Sequence, residues 1–246
     1  MTKRLLALAL LGASCKKEVP PPPVLAPAVQ VSPRQALADA LALPPGDVQK
    51  KAIHRARLAI TSEAAGGPVE EGPEGSLRLG GILWEPKAQK LSFTATLTVP
   101  KADPEQGVEQ AMPLEVICCT PAGRRYESLL VSEVRPLHLS LLLALAGFNP
   151  DSRWQVAIAN LDQSQALSAF LPKDQALASW SFSPPRMSAS GFPPDVSGDL
   201  LSLEFGVLTP SQAPQQPEKL IPQLPSGYTN GSSVIVEIRP LHLKIL

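Results

Sequence analysis

The chain has 246 residues, of which 44% are hydrophobic, 28 are prolines and only 4% are aromatic, and its formal net charge is zero. This length leaves room for one folded domain of about 170 to 210 residues beside shorter segments. Without a basic excess, the chain is not expected to bind nucleic acid. The many prolines favour turns and short strands over long helices.

Residues 1–14 are predicted to be a lipoprotein signal peptide. The start is positively charged, the apolar run Leu5–Leu11 is too short to span a bilayer as a helix, and small residues precede Cys15. Gly12 stands where such signals usually carry leucine. We expect Cys15 to be lipidated with diacylglycerol and a further acyl chain such as palmitate, which gives stable membrane attachment. An ordinary secretory peptide cut elsewhere, or a cytoplasmic protein with an apolar start, is the alternative.

The predicted location is the bacterial cell envelope. Lys16, rather than an aspartate, follows Cys15, and by resemblance to lipoprotein sorting this favours the periplasmic face of the outer membrane. Residues 15–32 are predicted to be a Pro-rich tether, because Pro20–Pro23 and Pro27 crowd a stretch without hydrophobic period. Fully extended, such a tether reaches roughly 50 Å. A proline-rich ligand for another domain is the alternative.

A helical segment is predicted over residues 33–64. Ser32–Gln35 matches a capping box with proline at the first helical position, and Pro44–Gly46 separates this helix from a second that begins at Asp47. The second helix carries a basic cluster that either contacts anionic headgroups or a partner, or is a solvated face: Lys50, Lys51, His54, Arg55 and Arg57. Residues 65–76 are predicted to be a linker rich in Gly, Pro and Glu.

Residues 77–246 are predicted to form a β-rich domain. Lys90–Val99 alternates apolar and polar residues with period two, which indicates a half-buried strand. Leu137–Gly147 is almost wholly apolar and predicts a buried helix at the centre of the core. Further strands are predicted at 81–85, 114–119, 127–130, 154–161, 178–183, 200–208 and 233–239, with a surface loop at 210–225. The predicted fold class is therefore α+β, a single β-rich domain with one buried apolar helix.

Cys118 and Cys119 are neighbours in a predicted strand, so their side chains should point to opposite faces. A shared metal site is not expected, and a disulfide between them would need strained geometry. We interpret them as buried, unreactive thiols, with a redox-active vicinal disulfide as the alternative.

One part of the chain resembles a known family. The residues that carry the resemblance are Leu77–Gly81, Leu114–Glu115, Gly123, Glu127–Leu130, Leu137–His138, Gly147, Trp180 and Val234–Pro240. They are similar to the YdjY-domain family of bacterial secreted proteins and lipoproteins over about residues 77–241. The resemblance implies a domain and a location rather than an activity. The chain departs from the family pattern at Tyr126, where histidine is common, and at Ser183–Pro185, where Gly-Ser is common.

Candidate functional residues lie in the most specific part of this resemblance. Glu127, Ser128 and His138 form a candidate cluster beside Tyr126. Ser128 lies outside any nucleophile elbow, so no catalytic residue is predicted. We favour a structural interpretation, in which Glu127 pairs with Arg124, Arg125 or His138. A second copy of the Glu-x-Arg-Pro-Leu-His-Leu motif at residues 237–243 places His242 near the C-terminus, but neither a metal site nor a cofactor is predicted.

Two functions of different classes remain open. The preferred hypothesis is a non-catalytic, membrane-tethered envelope lipoprotein whose β-rich domain binds an envelope protein or serves a structural role. The alternative is an envelope enzyme or thiol redox module that uses the Tyr126–His138 region or the Cys118–Cys119 pair. An active carboxylate at Glu127 would not tolerate Glu127→Gln, whereas a binding module would.

Overall fold

The two longest strands that the structure describes are neighbours in the sheet, and their sequences alternate with period two. The computed structural model describes residues 31–99, 112–148, 151–173, 177, 179–182, 184, 186, 188–189, 191–217 and 220–241. Strand β4 (Lys90–Leu97) buries Leu91, Phe93, Ala95 and Leu97. The last described strand, β12 (Ser233–Pro240), buries Val234, Val236 and Ile238 and pairs antiparallel with β4. The alternation predicted for Lys90–Val99 and the strand predicted at 233–239 are confirmed.

Shorter strands and several helices surround this pair. The α-helices in the described residues are α1 (Pro33–Leu41), α2 (Asp47–Ala65), α3 (Pro136–Leu145) and α4 (Pro193–Ser197). The remaining strands are β1 (Glu70–Glu71), β2 (Leu77–Leu79), β3 (Ile82–Glu85), β5 (Val116–Cys119), β6 (Ser128–Val131), β7 (Trp154–Ala159), β8 (Ser164–Ala166), β9 (Trp180–Phe182), β10 (Asp199–Ser202) and β11 (Leu208–Pro210).

Eight strands form a closed barrel in the order β4, β12, β7, β9, β11, β10, β5, β6 and back to β4. The pairs β5–β6 and β10–β11 are parallel, and the others in the ring are antiparallel. Thr96 and Leu97 of β4 close the ring by pairing with Val131 and Leu130 of β6. The domain is β-rich with added helices, as predicted. Closure was not predicted, because a local alternation does not specify which distant strand completes a sheet.

The two helices predicted at 33–64 are α1 and α2, and they pack against each other as a hairpin. Residues Pro33–Leu246 fall into one compact unit. Helix α2 ends at Gly66, whose φ of 70° is the left-handed conformation that glycine adopts readily. Leu58 and Ala65 of α2 lie in the same buried apolar cluster as the barrel strands. None of the described helices is long and apolar enough to cross a membrane.

Helix α3 is the buried apolar helix that the sequence predicts. Leu139, Leu142 and Leu143 are fully buried. Its N-terminus has Pro136 at the first position, and Asp195 from α4 accepts a hydrogen bond from the backbone N–H of Leu137 at 2.7 Å. A carboxylate at this end also complements the helix dipole.

Several local predictions are wrong. The single strand predicted at 200–208 is two strands, β10 and β11, because the chain turns at Gly206, where an added Cβ would lie 2.8 Å from the backbone N of Ser202. Strand β1 lies inside the predicted linker, and α4 and β8 were not predicted. Leu220, in the predicted surface loop, is fully buried, and its carbonyl accepts from the Leu114 N–H at 2.9 Å.

Candidate functional site

A network of charged side chains centres on Arg124, in the turn between β5 and β6. Arg124 Nη1 lies 2.6 Å from Glu115 Oε2 and 3.7 Å from Glu127 Oε2. Arg124 Nη2 lies 3.1 Å from Asp199 Oδ2 at the start of β10. Three carboxylates from separate positions in the chain therefore surround a single guanidinium.

Gly198 and Gly123 allow the start of β10 to lie close to the end of β5. The Thr120 N–H donates to the carbonyl of Gly198 at 2.8 Å, which seats the start of β10 beside the end of β5. Gly198 has φ of 78°, and an added Cβ would lie 2.4 Å from Thr120 Oγ1 and 3.0 Å from Gly123 Cα. Only glycine fits a position that combines a left-handed backbone with so close an approach. Asp199 follows directly and so faces Arg124.

The network holds more negative than positive charge. Asp199 is 1% exposed, and its Oδ1 has no hydrogen-bond partner among the described residues. Burial, followed by the charge of Glu115, raises the pKa of Glu127. Burial lowers the pKa of Arg124, but the Asp199 hydrogen bond and the carboxylate charges more than offset it, so the net direction is upward. Arg124 stays charged and is shared among carboxylates that repel one another.

An open cleft lies against this network. Its volume is about 570 Å³, which is within the range of small-ligand and peptide sites. Its charged wall consists of Glu115, Arg124 and Glu204. Its apolar wall consists of Pro113, Leu114, Leu203, Ala213, Pro214 and Pro217. The cleft therefore offers carboxylates together with an apolar surface.

Ser128 and Cys119 lie under the network. Ser128 is fully buried and donates to the carbonyl of Arg124 at 2.7 Å, which holds the turn in place. Its Oγ also lies 3.1 Å from Cys119 Sγ. No base contacts Ser128 among the described residues, so its contacts are those of a structural serine.

The adjacent cysteines point to opposite faces of β5, as predicted. Cys118 lies in the apolar core, whereas Cys119 faces Ser128 and pairs in register with Asp199. Both thiols are free and buried. Burial raises the pKa of Cys118 well above its usual value, and the Cys119 charge adds to this. Burial raises the pKa of Cys119 as well, although the Ser128 hydroxyl opposes it. Thiols that resist ionisation are poor nucleophiles.

The structure brings together only part of the predicted cluster. Glu127 and Ser128 both contact Arg124, so the arginine pairing considered for Glu127 is confirmed. His138 instead donates from Nε2 to the carbonyl of Ala65 at 3.2 Å, at the end of α2. Its other face packs on Gly80, where an added Cβ would lie 2.1 Å from Nδ1. His138 thus joins α3 to α2 and to the β2–β3 turn.

The remaining candidates are Tyr126, Cys15 and His242. Tyr126 is 63% exposed. Cys15 and His242 lie outside the described residues. Within the part of the chain that the structure describes, no group of three or more His, Cys, Asp or Glu side chains is placed to hold a metal ion.

Sequence reasoning missed Asp199, Glu115 and Glu204 as members of the site. Asp199 is 75 residues from Arg124 in the chain, and no spacing links the two. The available signal was Gly198 directly before Asp199 and a predicted strand, since glycine often marks a turn or a close backbone approach.

Comparison with protein-family models, with curated proteins and with solved structures finds no match to this chain. The resemblance to the YdjY-domain family stays a prediction. Fold and site together define a β-barrel domain of mixed α and β composition with an acidic, partly apolar cleft.

Proposed function

We propose that this protein is a lipid-anchored envelope lipoprotein whose barrel domain is a non-catalytic binding module. The anchor is Cys15, residues 15–32 are a tether, and the domain holds a partner in the cleft beside Arg124. The partner segment is extended, apolar in part, and carries a positive charge. The protein would then act by holding a binding surface within reach of the membrane.

The observation that carries the binding role is the excess of carboxylates around Arg124. Asp199, Glu115 and Glu127 share that one guanidinium, and Glu204 adds a further carboxylate to the cleft wall. A lysine or arginine of a partner would relieve this repulsion, whereas an anionic partner would add to it. The proline and leucine wall gives the apolar remainder of the segment a surface to pack against.

The enzyme and redox alternatives find less support in the same contacts. The Ser128 hydroxyl donates to the Arg124 carbonyl. His138 does not contact Ser128 and instead hydrogen-bonds to the Ala65 carbonyl at the end of α2. The raised pKa values of Cys118 and Cys119 disfavour the thiolates that redox chemistry requires.

Anchoring is tested by the intact mass and the membrane fractionation of the expressed precursor beside a Cys15→Ala variant. A lipid-sized mass increment and membrane retention, both lost in Cys15→Ala, are expected. A soluble and unmodified wild type would contradict the anchor.

Binding is tested by fluorescence anisotropy with a library of extended Pro-containing peptides that carry a single Lys, Gln or Glu. We expect Lys peptides to bind best and Glu204→Gln to weaken them about fivefold to tenfold, since one rim charge contributes on the order of 1 kcal/mol. Glu133→Gln, an exposed glutamate outside this cleft, is the matched control. Equal affinity for Lys and Glu peptides, or equal effects of the two variants, would contradict the cationic-segment proposal.

A further inference from the structure

The turn between α1 and α2 presents an unusual set of exposed side chains. Leu41 is 60% exposed, Leu43 is 37% exposed and Val48 is 74% exposed. Lys50 and Lys51, in the first turns of α2, are exposed beside them. We call these five residues the hairpin tip. Three large apolar side chains within eight residues of one turn form a patch, whereas isolated exposed apolar residues are ordinary.

The hairpin tip is held in shape by the fold. Gln49 Nε2 donates to the carbonyls of Leu43 at 2.8 Å and Leu41 at 3.2 Å, which ties the start of α2 to the end of α1. Pro44 and Pro45 restrict the backbone between them. The apolar side chains are therefore presented outward by a preformed turn, so that docking them requires little ordering.

The α1–α2 hairpin differs in net charge from the rest of the domain. Residues 33–65 carry five Lys and Arg against three Asp and Glu, whereas residues 66–246 carry 13 against 18. An anionic surface would attract the hairpin and repel the rest of the domain. The ion pair between Lys50 and Asp47 is 3.9 Å long with both side chains at least 80% exposed, so Lys50 remains available to a second anion.

We propose that the hairpin tip docks on an anionic membrane surface, with Leu41, Leu43 and Val48 at the headgroup–acyl boundary and Lys50 and Lys51 at the lipid phosphates. Apolar insertion flanked by lysines is the arrangement of interfacial anchors. The proposal rests on the proposed Cys15 anchor only in that the anchor keeps the hairpin tip near a membrane and so raises its effective concentration there. Docking orients the barrel, whereas the lipid alone would leave it free to turn on its tether.

The test uses residues 15–246 with Cys15→Ala, which retain the whole compact unit Pro33–Leu246 and carry no lipid. Co-sedimentation with phosphatidylglycerol–phosphatidylethanolamine vesicles is compared with phosphatidylcholine vesicles. We expect binding to the anionic vesicles only, and we expect salt to weaken it. The double variant Lys50→Gln/Lys51→Gln should bind about 30-fold more weakly, since each basic residue near an anionic surface raises the affinity about fivefold.

Val48→Asp is the sharper variant, and Val196→Asp is its matched control because Val196 is 70% exposed and belongs to α4 rather than to the hairpin. Val48→Asp should abolish sedimentation while Val196→Asp leaves it unchanged, with both variants retaining the wild-type unfolding transition. Absence of binding to anionic vesicles, equal binding to both vesicle types, or equal effects of the two substitutions would overturn the proposal. None of these outcomes depends on whether Cys15 is acylated, which the mass measurement decides separately.

Discussion

Arg124 Nη2 lies 3.1 Å from Asp199 Oδ2, and this contact joins two residues that are 75 positions apart in the chain. It ties the β5–β6 turn to the start of β10, and it is the most buried contact of the charged network, since the Asp199 side chain is only 2% exposed. The cleft wall is therefore fixed by an ion pair that belongs to the barrel itself.

Replacing Asp199 should destabilise the protein. Asp199→Asn removes the charge that meets Arg124 in a buried position, and hydrogen bonds to charged groups contribute about 1.5–3 kcal/mol. We expect a loss of that order in the free energy of unfolding, measured in urea. Asp162→Asn, at an exposed position, is the control and should change it by less than about 0.5 kcal/mol. Equal effects would show that the Arg124 contact is not structural.

Comparing Gly198→Ala with Gly231→Ala should distinguish the cost of steric overlap from the cost of a left-handed backbone conformation. The added Cβ would meet Thr120 Oγ1 and Gly123 in a residue of φ 78°, so we expect a loss of about 2–4 kcal/mol. Gly231→Ala has φ of 82° with nothing within 4 Å of the added Cβ, and should lose only about 1–2 kcal/mol. Thermal unfolding of both variants measures the difference. A loss at Gly198 no greater than at Gly231 would contradict the close approach.

The stability contributed at Glu127 should depend on pH. Burial and the nearby Glu115 raise the pKa of Glu127 in the folded protein, so the folded state holds this proton at a pH where the unfolded chain has released it. Acidification from neutral pH through this raised pKa, toward the ordinary value of about 4.3, therefore favours the folded state at this residue. Glu127→Gln removes the effect.

The measurement is the free energy of unfolding of wild type and Glu127→Gln at several pH values between 7 and about 4. Relative to the variant, the wild type should gain stability as the pH falls. A difference that does not vary with pH would contradict the raised pKa.

His138 should matter for stability and not for binding. His138→Ala removes the hydrogen bond to the Ala65 carbonyl that joins α3 to α2, at an expected cost of about 1–2 kcal/mol. Peptide affinity in the cleft should stay within twofold of wild type. His54→Ala, which removes an exposed pair with Glu71, is the control and should cost less than about 1 kcal/mol. Loss of peptide binding in His138→Ala at unchanged stability would return His138 to the functional cluster.

The thiols should be unreactive in the folded protein. In a Cys15→Ala background, Cys118 and Cys119 are the remaining cysteines. Because burial raises the pKa of both, we expect labelling with Ellman's reagent to be at least about tenfold slower than for free cysteine at neutral pH, and complete only in denaturant. Rapid labelling of either thiol in the native protein would support the redox alternative.

Much of the local structure was predictable because it depends on neighbouring residues. Period-two alternation predicted β4, and the apolar run from Leu137 predicted α3. Proline and glycine positions gave the breaks around α1 and α2. The opposite orientation of Cys118 and Cys119 followed from strand geometry alone.

Two features of the site could not be predicted from the sequence and are seen only in the tertiary structure. Glu127 and Ser128 were predicted candidates, but their shared partner Arg124 is fixed by Asp199, which only the pairing of β10 with β5 brings near. His138 was assigned to the same cluster because it is close in sequence, yet the packing of α3 carries it to Ala65.

The sequence by itself determined α1, α2, the buried helix α3 and most strands, because each depends on residues a few positions apart. The tertiary structure decided the closure of the barrel, the splitting of residues 200–208 into two strands, and the carboxylates that surround Arg124. These features depend on which distant strands pair. Pairing is set by the combined burial of apolar faces and by the close approach at Gly198, and neither can be predicted from a local sequence pattern.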